Sequence, residues 1–151
     1  MFDERYPPQV RVVAIGCQVK EVLRDPKNSK WLDFSIELCG GTHLKNSTEA
    51  KQFVILSEES ISGGVRRIIA ATGRGAELAT DNANTLREDF AEAKELPDGK
   101  ELSKACAQLS STLANAKISV LVKHELQKEL DELNKRDIKY KKTLSKQLQD
   151  K

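Results

Sequence analysis

Residues 52–71 read QFVILSEESISGGVRRIIAA, and this stretch predicts two β-strands joined at a pair of glycines. The runs at residues 52–56 and 65–71 are apolar and rich in β-branched side chains, which favours strands. Ser62-Gly63-Gly64 lies between them and is typical of a turn. We therefore expect a β-hairpin near the middle of the chain.

Two shorter runs precede this hairpin and predict further strands. Val10 to Ile15 is the first of them, and Phe34 to Leu38 is the second. The connection between them contains Asp25-Pro26-Lys27-Asn28-Ser29, and proline disfavours helix at the residue before it. The first 76 residues therefore predict a mixed or antiparallel sheet with long connections.

The periodicity becomes helical from Gly75 onward. Leu96-Pro97-Asp98-Gly99 predicts the end of a first helix. The side chains expected on the apolar face of that helix are Leu78, Asn82, Leu86, Phe90 and Ala93.

A longer helix is predicted after residue 100. Its apolar residues alternate at spacings of four and three, as in a coiled-coil seam: Leu102, Cys106, Leu109, Leu113, Ala116 and Val120. The seam resumes in another frame with Leu126, Leu130, Leu133, Tyr140 and Leu144, leaving Asp137 at an inward position. We expect a helical hairpin or arm over residues 77–151, with self-association or docking through residues 100–151, and an α+β chain overall.

Charged residues of this helical part occur in pairs that suit a solvent-exposed helix. Three acid-first pairs are four residues apart: Asp131 with Lys135, Glu132 with Arg136, and Asp137 with Lys141. Residues 76–134 contain 7 basic and 12 acidic residues, whereas residues 135–151 contain 7 basic and 2 acidic ones. The basic tip suits nucleic-acid phosphate or an acidic protein surface, or is simply a solvated helix end.

Composition limits the size of the protein, its cellular location and the role of its cysteines. The chain has 151 residues, of which 38% are hydrophobic and 32% charged, so it is the size of one modest domain. It contains no apolar run of membrane-spanning length and does not begin like a signal peptide, so a soluble, cytoplasmic protein is expected, with an organelle such as the mitochondrion still possible. Its three cysteines are an odd number at unrelated spacings, which favours reduced thiols or a metal ligand over a disulfide framework.

Cys39-Gly40-Gly41-Thr42-His43 is the candidate chemical site. A thiolate and an imidazole three residues apart, in a glycine-rich turn, can both bind one Zn²⁺. Two ligands are half of a usual zinc site, and the only other histidine is His124. A buried thiol beside a hydrogen-bonded loop histidine is the structural alternative, and a Cys–His nucleophilic pair is another. No third residue that would orient such a base is evident.

Gly63-Gly64-Val65-Arg66-Arg67 is a second candidate, because backbone amides and guanidinium groups can bind phosphate. The segment has neither a Walker nor a dinucleotide-binding pattern. Neighbouring strand residues face opposite sides, so at most one of the two arginines should enter a common site.

Three blocks in this order carry a family resemblance: residues 10–16, then Glu37-Leu38-Cys39-Gly40-Gly41-Thr42-His43, then residues 64–73 with their Arg-Arg-Ile strand. Together they resemble the second half of the alanyl-tRNA synthetase editing domain, closely over residues 4 to 76 and only in kind over the helices that follow. The Cys-Gly-Gly-Thr-His block distinguishes it from the related threonyl enzymes.

The resemblance implies a zinc-centred pocket that hydrolyses tRNA(Ala) wrongly charged with serine or glycine. Cys39 and His43 would be metal ligands, and Gly40, Gly41, Thr42, Arg66 and Arg67 would contact substrate or tRNA. The family completes the zinc site with an upstream His-x-x-x-His pair, which this chain does not contain. It also lacks the class II ATP-binding motifs with which the parent ligates alanine.

Three interpretations follow from that half-site. In the first, the chain is a fragment of an alanyl-tRNA synthetase and is inactive alone. In the second, it is a short derived protein that acts as a structural or RNA-binding subunit of a larger assembly. In the third, the missing N-terminal half or another chain completes the zinc site and restores hydrolysis in trans.

Overall fold

The computed structural model describes residues 7–149 and has α+β architecture. The described chain forms two compact units, one within Met1–Lys45 and one formed by Asn46–Lys151. The strands are β1 (Arg11–Ile15), β2 (Ser35–Cys39), β3 (Phe53–Ser62) and β4 (Val65–Thr72), and the helices are α1 (Val19–Arg24), α2 (Gly73–Glu95), α3 (Lys100–Asn115) and α4 (Val120–Gln149).

The first unit is a two-stranded antiparallel sheet whose strands are connected through α1 and a 3₁₀ turn. β1 pairs with β2 so that Arg11 lies opposite Cys39. Val22 and Trp31 are buried, and the Trp31 indole donates a hydrogen bond of 2.6 Å to the carbonyl of Asp25. Both strands lie within one residue of their predicted positions, and the predicted loop after Asp25 is present; α1 was not predicted.

The second unit begins with the predicted hairpin. β3 and β4 are antiparallel, and β3 extends to Ser62, well beyond the predicted end at Leu56. Gly63 and Gly64 have φ values of +54° and +84°, which is the two-residue turn that matches the twist of a hairpin. Each small sheet consists of two antiparallel strands. Within residues 7–149 the antiparallel alternative is therefore confirmed, and no mixed sheet is observed.

The hydrophobic core of the second unit lies among α2, α3 and α4. Its main members come from all three helices and the loop before α4: Leu86, Phe90, Leu102, Cys106, Leu109, Leu113, Ile118, Leu126, Leu130 and Leu133. Ser103 bonds to Asp137 and Lys123 bonds to the carbonyl of Ala114, so α3 and α4 run antiparallel. The hairpin part of the predicted helical region is thus present, whereas a free coiled-coil arm is not confirmed.

The predicted apolar face of α2 was wrong in its first half. Leu78 is 52% exposed and Asn82 is also exposed, whereas Ala76, Ala79 and Ala83 are buried. Leu86, Phe90 and Ala93 are buried as predicted. Alanines let neighbouring elements approach closely, and α2 contacts β3 and β4 as well as the other helices. The buried side of α2 is therefore determined by the space available between packed elements rather than by the hydrophobicity of its side chains.

The longer helix predicted after residue 100 is divided into two helices. α3 ends at Asn115, and Ala116 has extended backbone angles, so Ala116 and Val120 do not continue the seam. Ile118 is fully buried in the intervening loop. The change of frame read from the sequence is the break between two antiparallel helices.

Asp137 occupies the inward position that the second frame predicted. It is 7% exposed and accepts hydrogen bonds from Ser103 at 2.5 Å and Lys141 at 2.6 Å. The Lys141 bond, followed by that from Ser103, lowers the pKa of Asp137. The predicted pair with Lys141 is confirmed.

Arg136 does not form the predicted pair with Glu132. Its guanidinium contacts Asp98 at 2.9 Å and the carbonyl oxygens of Lys94 and Leu96 at 3.0 and 2.6 Å. These carbonyls lie at the end of α2, where helical oxygens lack partners within the helix. The side chain therefore connects α4 to the loop between α2 and α3.

Within residues 7–149, no helix combines the length and apolar character that crossing a membrane requires.

Candidate functional site

The Cys39–His43 turn lies where β2 ends in the first unit. Pairing with Arg11 fixes the backbone of Cys39 at the edge of the small sheet, and its side chain is half-buried. The backbone N–H of Gly41 donates a hydrogen bond of 3.4 Å to the Cys39 sulfur. Cysteine binds a metal as the thiolate, and this N–H can donate to the sulfur in that form as well.

The two glycines of this turn are not required by its backbone conformation. Neither Gly40 nor Gly41 adopts the positive φ that would require glycine. A Cβ on Gly40 would meet nothing within 4 Å, and one on Gly41 would lie 3.5 Å from the Cys39 sulfur. Their contribution is open space beside the thiol rather than an unusual backbone.

His43 and Thr42 are exposed beyond these glycines. Among the hydrogen bonds within residues 7–149, none joins the Cys39 thiol to the His43 ring, so the nucleophilic-pair alternative gains no support. The exposed ring is accessible to a ligand that approaches the turn. The turn therefore offers one half-buried sulfur and one exposed nitrogen donor.

This donor set is chemically suited to zinc but is incomplete. In the part of the chain that the structure describes, no three histidine, cysteine or acidic side chains are grouped so as to hold a metal ion. His124 lies on α4 and is exposed. A closed zinc site needs four protein ligands and a catalytic one needs three, so the turn can contribute two of four or two of three.

The arginines of the second candidate lie on β4 of the second unit. Arg66 forms an ion pair with Glu58 on β3, and Arg67 lies opposite Glu59 in the strand register. Both side chains are exposed, and the positive φ values of Gly63 and Gly64 are explained by the hairpin turn alone. The hairpin therefore presents two guanidinium groups to solvent on opposite faces.

Four lysines of the basic tip at residues 135–151 share one side of α4, which the charge count alone did not predict. Lys135, Lys139, Lys142 and Lys146 line one groove on the surface of this helix. Their spacing of four, three and four residues is helical, so the pattern that located the leucine seam could have located them.

Two family models match successive parts of the chain. The first, described as the threonyl and alanyl tRNA synthetase second additional domain, matches residues 10–69 and so includes both candidate sites. The second, described as an alanine–tRNA ligase domain, matches residues 76–140. The two small sheets and the helices after them therefore belong to the accessory domains found in threonyl- and alanyl-tRNA synthetases.

Individual relatives narrow that class to the alanine branch. The chain is 40% identical to the alanine–tRNA ligase of Candida albicans over 135 residues, which is 89% of this chain and 14% of that protein. It is 40% identical to the cytoplasmic enzyme of Dictyostelium discoideum over 95% of this chain, and 39% identical to the mitochondrial enzyme of Saccharomyces cerevisiae over 89% of it. The chain therefore belongs to the alanyl-tRNA synthetase family.

The chain spans about 14% of the length of the relatives that it matches. No solved structure gives a significant match to it.

Proposed function

We propose that this chain is part of an alanine–tRNA ligase and supplies half of a zinc-centred site that hydrolyses serine or glycine wrongly attached to tRNA(Ala). The parent enzyme would also join alanine to that tRNA, using ATP. Support comes from the matches over residues 10–69 and 76–140 and from the accessible donors of the Cys39–His43 turn. The proposed location is the cytoplasm, with the mitochondrion as alternative, since relatives of both names match.

In this proposal each residue of the turn has a distinct task. Cys39 and His43 would hold zinc, which when bound supplies a Lewis acid for ester hydrolysis. The Gly41 N–H would stabilise the ligating thiolate, and the open space over Gly40 would admit the aminoacyl group. Thr42 would offer a hydroxyl to that group, and Arg66 or Arg67 would contact tRNA phosphate.

Exposed apolar side chains on both small sheets support a site completed by other parts of the parent. Ile15 is 63% exposed on β1, and Phe53 and Ile68 are 66% and 60% exposed on the hairpin. An isolated two-stranded sheet is marginally stable in water and normally gains from further strands or a covering helix. The missing His-x-x-x-His pair would arrive with such a segment.

The first test is the zinc content of the full chain, alone and mixed with a separately expressed parent segment that carries the missing histidines. We expect zinc bound at one per complex only in the mixture, together with release of serine from Ser-tRNA(Ala). Cys39→Ala should abolish both. Cys17→Ala is the matched control, because Cys17 is also a half-buried thiol of the first unit, and it should abolish neither.

Hydrolysis by the chain alone, lost in Cys39→Ala, would show that the half-site interpretation is wrong. A mixture that binds no zinc would count against Cys39 and His43 as ligands.

A second candidate function, a structural or RNA-binding subunit, is favoured by one observation. The three helices of the second unit bury a continuous core of their own and do not depend on the sheet of the first unit for it. The endogenous product would then be about as long as this chain and would co-purify with a large assembly. An endogenous product of full synthetase length would exclude it.

A further inference from the structure

We infer that the lysine stripe of α4, formed by Lys135, Lys139, Lys142 and Lys146, binds the phosphate backbone of an RNA duplex. The four side chains line one surface groove together with Ile138 and Thr143. The choice of RNA as the polyanion rests on the proposed function. The surface itself lies outside both candidate sites described above.

The stripe is a straight row on the solvent side of α4. Residues spaced by four, three and four lie above one another on a helix, and at a rise of about 1.5 Å per residue the row is about 16 Å long. Leu126, Leu130 and Leu133 on the opposite side of the helix are buried in the core. The packing of α4 therefore fixes the direction in which the lysines point.

The positive charge of the stripe is not neutralised within residues 7–149. The other two basic residues of this stretch are occupied, since Arg136 pairs with Asp98 and Lys141 with Asp137. None of the ion pairs among the described residues involves the four stripe lysines, and Asp131, four residues before Lys135, instead accepts a bond from Gln127. Four unpaired ammonium groups on one side of a helix strongly favour an external polyanion.

Nucleic acid suits this surface better than protein does. A duplex carries about one negative charge per ~1.7 Å of its axis, so a row of this length faces on the order of ten phosphate charges. The central parts of protein interfaces are enriched in aromatic residues and arginine and depleted in lysine. The groove is lined by the four stripe lysines, one isoleucine and one threonine, which is the composition of a contact with a phosphate backbone.

A lipid surface suits it less well. A helix that lies on a membrane inserts the apolar face opposite its charges. Over residues 126–137 that face is already buried against α3 and the other helices. That part of the face is therefore unavailable for insertion. Beyond it Leu144 and Leu148 are exposed, at 43% and 68%, so an apolar contact with lipid would be limited to the end of the helix.

The test measures binding of a fluorescent RNA duplex to the full chain over a range of salt concentrations. Each lysine that contacts a phosphate contributes about one to the slope of log affinity against log salt. We expect the double substitution Lys139→Gln with Lys142→Gln to reduce that slope by about two and to weaken binding severalfold at about 100 mM salt. The pair Lys139→Arg with Lys142→Arg should keep both slope and affinity.

The matched control is Lys104→Gln with Lys117→Gln, which removes the same charge from exposed positions outside the stripe. An equal loss in both pairs would overturn the inference, because net charge alone would then explain binding. So would a wild-type chain that fails to bind RNA at about 50 mM salt, or one that binds only phosphatidylserine vesicles. None of these outcomes depends on zinc, so the inference can fail while the proposed Cys39–His43 site stands.

Discussion

Single residues carry two of the strongest local constraints in this molecule, and both are in the second unit. Asp137 is a charged group inside a helical core, held by Ser103 and Lys141. Lys51 is the one non-glycine residue within residues 7–149 that has a positive φ, with φ 56° and ψ −114°. Hydrogen bonds compensate the burial of the Asp137 charge, whereas the backbone of Lys51 is strained.

Asp137→Asn should lower the free energy of unfolding by about 1–3 kcal/mol at neutral pH, because the buried acceptor loses the charge that strengthens its hydrogen bonds. The Lys141 bond lowers the pKa of Asp137 in the folded state, so its contribution is complete above the ordinary aspartate value of about 3.9. That contribution disappears as the pH falls through the lower folded-state pKa. Urea unfolding of both proteins between neutral and strongly acidic pH should therefore show the difference shrinking toward acid.

The control for this series is Asp131→Asn, an exposed aspartate on the same helix. It should change stability little at any pH. If the difference in free energy of unfolding between wild type and Asp137→Asn persisted in strong acid, the assigned role of the carboxylate would be contradicted.

Lys51→Gly should raise the free energy of unfolding by about 1 kcal/mol, because glycine adopts this backbone conformation without the strain that a Cβ imposes. The Lys51–Glu77 pair that it removes is exposed on both sides and contributes little. Lys51→Ala removes the same pair but keeps the Cβ, so it should give no gain. Thermal unfolding of the three proteins checks this, and equal stability of the glycine and alanine variants would refute it.

At the scale of elements, the connections between helices are as specific as the helices themselves. The loop between α2 and α3 is held from outside by Arg136 of α4, and the loop between α3 and α4 buries Ile118. These contacts join each loop to the common core. They also explain why three helices of unequal length form one body.

Arg136→Lys should cost about 1–3 kcal/mol of stability, because an ammonium cannot reach Asp98 and two carbonyls in the same fixed geometry. Arg87→Lys is the control, since Arg87 forms a single exposed pair with Glu125 at 3.2 Å, and it should cost less than about 1 kcal/mol. Guanidinium chloride titrations followed by circular dichroism compare the two. Equal costs would mean that the carbonyl contacts add no stability.

At the scale of the whole molecule, the two units differ greatly in their cores. Within residues 7–149, the buried apolar residues of the first unit are Val22 and Trp31, whereas the helices of the second unit form a continuous cluster. Burial of apolar surface is the main stabilising term in folding. The second unit should therefore be considerably more stable than the first.

Denaturant should accordingly produce two transitions in the full chain. Trp31 is the only tryptophan, so its fluorescence reports on the first unit, while helical circular dichroism reports mainly on α2, α3 and α4 of the second. We expect the fluorescence transition at the lower denaturant concentration. Coincident transitions by the two probes would show a single cooperative unit instead.

Local patterns were sufficient for much of this molecule. The positions of the four strands, the helix end before Gly99 and most of the buried leucines of α3 and α4 were predictable because turn residues and apolar spacing act over a few neighbours. Leu144 is the exception, since it was predicted on the leucine seam but is 43% exposed. The Cys39–His43 turn was identified in the same way, from adjacent residues. The Asp137–Lys141 pair also follows from spacing along one helix.

Tertiary packing decided what depends on distant residues. Three features follow from how the three helices share one core. These are the side of α2 that is buried, the break between α3 and α4, and the hydrogen bonds from Arg136 to carbonyls about forty positions earlier in the chain. The same packing buries Leu126, Leu130 and Leu133 of α4 and leaves the lysine stripe facing solvent. Periodicity places residues on a common side of a helix, but only contacts with other elements decide whether that side is buried or exposed.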